Sequence, residues 1–383
     1  MDPARRRSIG GIDGKGRGVS LWRRTGALKL VHIWRPAVGL KAVVAVDNIA
    51  CGPAVGGVRM APDVSTEEAF RLARAMTLKN AAAGLPHGGG KSVIFADPKM
   101  PQSDKERLIR AFAAAIADLA DYIPGPDMGT DEQAMGWIHD ETGRAVGLPS
   151  AIGGIPLDEI GATGFGLVAA IEVAAEHLGL PLAGARIVIQ GFGSVGRHAA
   201  RFLAERGAVL VGASDTKGTI ADDGGLDVAA LIALKAEGRS LHDYPRGRKL
   251  GGDSVIDISC DIWIPAARPD VIHAGNVARL RTGLVAQGAN IPCTPEAETA
   301  LAARGVLILP DFIANAGGVI CAAVEYRHGS EATAFSAIDE KIRGNTRAVL
   351  DGVRSSGALP RAAALALAKT RLQRAMATRR WDH

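Results

Sequence analysis

The feature that most limits how this chain can fold lies between Arg186 and Asp215. A run of β-branched apolar residues, Arg186–Gln190 (RIVIQ), leads directly into Gly191-Phe192-Gly193-Ser194-Val195-Gly196. The run reads as a buried strand. A helix follows to about Arg206, then a strand at Ala208–Ala213, and Asp215 falls 24 positions after Gly191. A bare GxGxxG matches many loops; between a strand and a helix it is the turn that accepts a dinucleotide. The glycines allow the tight turn and let a pyrophosphate sit at the helix N-terminus, where unpaired backbone N–H groups point at it. Asp215 falls where an acidic residue accepts hydrogen bonds from the adenosine ribose. The competing reading is a turn that merely packs helix on strand.

Later segments keep the alternation of strand and helix. Asp261–Ile264, Leu284–Gln287 and Val306–Leu309 read as further strands, followed by the loops PAARPD, GANIPCT and PDFIANAGG. In a doubly wound sheet such loops line the ligand crevice. Asn290 and Asn315 lie on two of them; either would alternatively tie down loop backbone.

A second informative stretch lies upstream, at Thr77–Ile94. It sets Lys79 and Lys91 twelve positions apart around Gly88-Gly89-Gly90. The glycine run reads as a turn that a ligand can approach closely. A lysine desolvated there becomes a usable base at neutral pH. A phosphate-cradling P-loop is excluded, because it requires glycine at position 85, which is Leu85. A solvated lysine on a tight turn is the plainer alternative.

Around this stretch, Leu28–Ile33, Leu40–Val46, Val58–Met60 and Val93–Ala96 read as strands. Helices are expected from Thr66 to about Ala83, capped by Ser65 or Thr66, at Lys105–Ala120 with Ser103 as cap, and at about Asp131–Thr142. Gly125–Thr130 reads as a loop. Asp158–Leu178 is a long helix, or one that begins after Gly161, and Ala332–Ala377 is mostly helical. The expected organisation is a basic, flexible extension over 1–25, a substrate and oligomerisation domain over 26–150, a dinucleotide domain over 151–330, and helices over 331–383 packing back on the first domain.

Composition narrows the function classes. No apolar run reaches the roughly 18–20 residues that span a bilayer, and the basic start lacks the apolar core of a secretory signal. Residues 1–25 and 361–383 each carry a net +5, so the body is −5 within a total of +5. The basic excess therefore sits at the ends, and no basic face with interleaved aromatics suggests nucleic acid. Cys51, Cys260, Cys293 and Cys321 are scattered without a CxxC pair. That pattern fits a reducing cytoplasm and no metal site.

Five ordered segments resemble the glutamate/leucine/phenylalanine/valine dehydrogenases. They are Gly52–Met60 (GPAVGGVRM), Met76–Pro98, Gly125–Thr130 (GPDMGT), the QGFGSVG turn and Pro310–Val319 (PDFIANAGGV). The resemblance implies an N-terminal α/β substrate and assembly domain plus a Rossmann-like domain, with the active site in the cleft. It also implies NAD, with NADP allowed, a homo-oligomer, and interconversion of an L-amino acid with a 2-oxo acid and ammonia. By matching position, Lys91 resembles the catalytic lysine and Asp127 its acid–base partner; capping the following helix is the alternative role for Asp127. Lys79, helped by backbone at Gly56 and Gly57, resembles the clamp on the substrate carboxylate. Thr163, Asn290 and Asn315 resemble residues around the nicotinamide and the substrate amine.

The side-chain pocket departs from the glutamate-specific pattern. Such members carry a lysine where Val55 stands and a serine where Ala322 stands. A carboxylate left unpaired against Val and Ala would cost several kcal/mol, so an apolar substrate such as leucine, valine or phenylalanine is expected. SDTKGTI (Ser214–Ile220) leans the other way, towards glutamate enzymes. A catalytically silent regulatory subunit is the reading from another class. The retention of Lys79, Lys91 and Asp127 argues against it.

Overall fold

The computed structural model describes residues 27–379. The stretch 1–25, expected to be flexible, lies outside the described residues. Two sheets organise the rest. The first has five strands: β1 (Lys29–Arg35), β2 (Leu40–Asn48), β3 (Ala54–Ala61), β4 (Gly88–Phe95) and β5 (Tyr122–Pro126). Their order is β1-β2-β4-β3-β5. β2 pairs antiparallel with both β1 and β4, whereas β3 pairs parallel with both β4 and β5.

Period-two alternation gives this sheet two different faces. One buries Leu40, Ala42, Val44, Val46, Val58, Met60 and Ile94 under helices α2 (Gln102–Ala115) and α3 (Glu132–Thr142). The other buries Val43, Ala45 and Val93 under helix α1 (Thr66–Ala82). Ser65 starts α1 by accepting a hydrogen bond from the Glu68 amide at 3.1 Å, as expected from sequence. Asp131 caps α3 in the same way. Ser103 does not cap α2, which begins at Gln102 after Pro101 and ends at Ala115; the next residues break away to bring the chain into β5.

The largest departure from the sequence reading is the glycine run. Gly88–Gly90 forms the first part of strand β4. Side chains have no room there. A Cβ on Gly89 would collide with the backbone of Thr77 on α1, and one on Gly90 would lie 2.7 Å from the Tyr122 ring. Glycine here lets a helix and a neighbouring strand close onto the sheet.

The second sheet has seven strands in the order β12-β11-β10-β6-β7-β8-β9. β6 (Arg186–Gln190), β7 (Val209–Asp215), β10 (Ile262–Pro265), β11 (Leu284–Ala286) and β12 (Leu307–Leu309) are parallel. β8 (Gly218–Ala221) and β9 (Arg248–Leu250), not foreseen from sequence, extend one edge antiparallel. The order reverses between β6 and β10, the switch point where such sheets bind ligands. Ile187, Val188 and Ile189 are completely buried, and truncating any one to alanine would cost about 2–5 kcal/mol.

Helix α4 (Ala162–Leu178) starts after Gly161 and packs on this sheet; α5 (Ser194–Ala204), α6 (Val228–Ala236) and α7 (Pro295–Ala303) follow strands β6, β8 and β11 respectively. The chain then forms α8 (Asp311–Ala314), α9 (Gly317–Glu325), α10 (Glu331–Ser356) and α11 (Pro360–Met376). Ala364 and Ala368 of α11 pack on Ala81 and Ala82 of α1. The last helix thus returns to the first lobe. No described helix is long and apolar enough to cross a membrane.

Candidate active site

The catalytic candidates meet on the sheet face that α1 covers only in part. Lys91 projects from β4 beside Val93, on the same face as Val55, Gly57 and Arg59 of β3. Just past β5 the chain turns and delivers Asp127, whose carboxylate contacts the Lys91 ammonium. Asp127 is held by its own loop: its amide donates to Thr130 Oγ1 at 3.0 Å, and Met128 N donates to its Oδ1 at 2.6 Å. The cap of α3 is Asp131, so the capping role for Asp127 is excluded.

Burial pushes the Lys91 amine down to about 7, with the nearby Arg59 guanidinium and Lys79 acting in the same direction and Glu68 against them. A lysine in that range supplies both protonation states at neutral pH. Gly57 keeps the space over this pair open: a Cβ there would lie 2.7 Å from Asp127 Cβ and 3.0 Å from Lys91 Nζ. Gly56 packs backbone to backbone against Gly90.

Lys79 lies on the last turns of α1, which Thr77 and Asn80 anchor to the sheet. Thr77 Oγ1 donates to Asp47 at 2.5 Å, and Asn80 Nδ2 donates to the Gly88 carbonyl at 2.6 Å. Burial pushes the Lys79 amine below its usual value, opposed by the charge of Asp311. Its Nζ donates to Asn315 Oδ1 at 2.8 Å, a bond that crosses from the first lobe to the second. Asn315 Nδ2 in turn donates to Asn290 Oδ1 at 2.9 Å and reaches the Gly288 and Ala289 carbonyls at 3.3 Å. The asparagines therefore do secure loop backbone, and they also end a relay that begins at Lys79. Thr163 stands on the first turn of α4, with Oγ1 3.1 Å from where a Cβ on Gly318 would be.

Beside the lysines, Val55, Ile123, Val146 and Ala322 form an apolar cluster joined by Tyr326. His87 meets the edge of the Tyr326 ring, with centroids 5.8 Å apart. Its Nδ1 lies 3.2 Å from the Pro53 carbonyl, so Nδ1 carries the proton and donates. Nε2 is buried without a partner. Burial first, then the charge of Arg327, holds this imidazole towards its neutral form.

At the cofactor candidates, Gly191 and Phe192 donate their amides to the Ser214 carbonyl at 3.0 and 2.9 Å, which ties the loop to the end of β7. The Phe192 side chain is in the core, so only its backbone belongs to the loop. A Cβ on Gly196 would collide with the Gly191 carbonyl, whereas one on Gly193 would meet nothing within 4 Å. The open side of Gly193, before the N-terminus of α5 at Ser194 and Val195, fits a pyrophosphate. Gln190, Arg268 and Asp270 line a groove alongside.

Asp215 is placed at the end of β7, where its carboxylate is surrounded by donors. Its Oδ1 accepts from Lys217 N at 2.9 Å and Ser240 Oγ at 3.3 Å; Oδ2 accepts from Lys235 Nζ at 3.0 Å and Leu241 N at 2.9 Å. Burial opposes the charged form, but the Leu241 and Lys217 amides and the Lys235 ammonium outweigh it and hold the carboxyl below the usual range.

Sequence reasoning missed Arg59 and Glu68. Arg59 donates to Glu68 Oε1 at 2.6 Å and to Asp127 Oδ1 at 3.3 Å. The available signal was alternation: in a strand, Val55, Gly57 and Arg59 must share a face. Among the described residues, no three His, Cys, Asp or Glu side chains gather as a metal site would require.

Comparison with known proteins places the chain in a family. Residues 153–380 match the family described as Glutamate/Leucine/Phenylalanine/Valine dehydrogenase, and residues 30–144 match Glu/Leu/Phe/Val dehydrogenase, dimerisation domain. A glutamate dehydrogenase of Aeropyrum pernix is 37% identical over 357 residues, covering 87% of this chain and 85% of that one. A hetero-hexameric glutamate dehydrogenase of Thermus thermophilus, solved in a leucine-bound form, superposes with a TM-score of 0.81 at 32% identity, covering 91% and 89% of the two chains. An L-tryptophan dehydrogenase of Nostoc punctiforme gives 0.74 at 26% identity, covering 93% and 99%.

Proposed function

The chain belongs to the glutamate/leucine/phenylalanine/valine dehydrogenase family, NAD(P)-dependent amino-acid dehydrogenases, and on that premise we propose that it deaminates an L-amino acid with an apolar side chain, such as leucine, valine or phenylalanine. The observation that carries the substrate class is the apolar cluster of Val55, Ile123, Val146 and Ala322 beside the lysine pair. A glutamate carboxylate set against these apolar walls would be desolvated, at a cost of several kcal/mol unless it found a partner.

In this reading Lys79 holds the substrate α-carboxylate, with backbone at Gly56 and Gly57 giving it a close approach. Asp127 takes a proton from the substrate ammonium. A nicotinamide cofactor held at the Gly191–Gly196 turn would supply the acceptor for the Cα hydride, the substrate becoming an iminium. The neutral Lys91 amine then removes a proton from water as that water adds to the iminium carbon. Asp127 returns a proton to the carbinolamine nitrogen, ammonia leaves, and the hydroxyl passes its proton to the freed Asp127 carboxylate as the 2-oxo acid forms. The positive Lys91 steadies the charge that develops on this oxygen. Thr163, Asn290 and Asn315 orient the nicotinamide and the reacting amine. The same reading includes a homo-oligomer in a reducing cytoplasm. Its supports are the match of residues 30–144 to a dimerisation domain and the hexameric state of one similar structure.

Glutamate is the second reading, favoured by the 37% identity with a glutamate dehydrogenase over most of the chain. Steady-state assays with leucine, valine, phenylalanine, tryptophan and glutamate, each with NAD and with NADP, separate the two. An apolar substrate should exceed glutamate in kcat/KM by at least about tenfold, the discrimination expected from one or two kcal/mol. A preference for glutamate with either cofactor would overturn the apolar reading.

A further inference from the structure

Lys91 is surrounded by charge from three elements. Asp127 faces it from the loop after β5, Arg59 from β3, and Glu68 and Lys79 from α1. Arg59 is the centre of this arrangement. Its side chain is only 20% exposed, and its two terminal nitrogens reach different carboxylates, Glu68 at 2.6 Å and Asp127 at 3.3 Å. The remaining nitrogen, Nε, is buried without a partner, so the guanidinium is held by those two carboxylates. The Asp127 carboxylate is accordingly divided, with one oxygen on Lys91 and the other on Arg59. A planar fork fixed at one end by Glu68 restricts rotation of Asp127 in a way a lysine does not.

We propose that Arg59, steadied by Glu68, is a positioning residue that holds the Asp127 carboxylate against Lys91 and opposes positive charge on that lysine. This rests on the reading of Lys91 and Asp127 as the acid–base pair. Deamination requires Lys91 neutral, so kcat/KM rises with pH through its titration near 7. Removing the Arg59 cation favours the charged amine and moves that limb to higher pH. Removing the Glu68 anion takes away an opposing charge and moves it to lower pH.

The test is a pH profile of kcat/KM for wild type, Arg59→Gln, Arg59→Lys and Glu68→Gln. It is paired with labelling of Lys91 by acetic anhydride against pH, read by mass spectrometry without turnover. Arg59→Gln should raise the Lys91 midpoint by about one pH unit and lower kcat about tenfold. Glu68→Gln should lower the midpoint by about half a unit. Arg59→Lys should restore the midpoint while leaving kcat reduced, because the charge returns without the fork. Unchanged midpoints, or shifts of the same sign in Arg59→Gln and Glu68→Gln, overturn the proposal. Should Arg59→Gln fail to fold by circular dichroism, the direction of the Glu68→Gln shift decides alone. A wild type without dehydrogenase turnover sinks the proposed reaction instead, and the labelling midpoints still judge Arg59.

Discussion

Lys91, on β4 of the first sheet, and Asp215, at the end of β7 in the second, are both ionisable groups, and their surroundings treat them in opposite ways. Lys91 is pushed away from its charged form by burial and by two neighbouring cations. Asp215 is held in its charged form by four donors. The first arrangement keeps a proton exchangeable near neutral pH, and the second fixes a charge for good. Perturbation that opposes ionisation marks chemistry, whereas a saturated ion marks architecture. The difference also bears on cofactor choice, because an acidic residue at this position can repel a 2′-phosphate. A carboxylate already paired with Lys235 has little repulsion left to exert.

Three substitutions test this contrast. The largest effect is expected from Lys91→Ala, which should cut kcat about 10³–10⁴-fold while NADH affinity, followed by its fluorescence, stays within about twofold. Retained turnover would remove Lys91 from the chemistry. Gly57→Ala comes next. The added methyl presses on both Asp127 and Lys91 Nζ, and kcat/KM should fall roughly 100-fold, as misplacement of about an ångström costs. An unaffected variant would mean that substrate does not pass over Gly57. The smallest kinetic effect belongs to Asp215→Asn. Its cost should appear in urea unfolding, about 1–3 kcal/mol for lost charge-assisted bonds. Because the folded-state pKa is lowered, that contribution is present above the ordinary carboxylate range and fades as pH falls through the folded value. The NAD:NADP preference should move less than about threefold, a shift below one kcal/mol. A large switch in cofactor preference would show that Asp215 faces the ribose after all.

Much of this was legible in the sequence because it was local. Arg186–Gly196 is read from a strand, a glycine pattern and a helix that are contiguous, and the Ser65 cap from the residues beside it. What was misread depended on distant parts. Gly88–Gly90 has the composition of a turn, and only the approach of Thr77 and Tyr122 explains why glycine stands in a strand. The saturation of Asp215 comes from Lys235, Ser240 and Leu241, on a helix and a turn that no spacing rule links to β7. In GPAVGGVRM the glycines carry the motif, yet strand alternation already sets Arg59 on the face of Gly57.

The return of α11 to the first lobe has a consequence for biogenesis. The stripe Ala81–Ala82 of α1 leaves the ribosome early, but the alanines that cover it, Ala364 and Ala368, are nearly 300 residues away. At typical elongation rates of about 5–20 residues per second, that stripe waits roughly 15–60 s for its cover. The nascent first lobe therefore carries an uncovered apolar stripe while most of the remaining chain is made, a natural point for a chaperone to hold it.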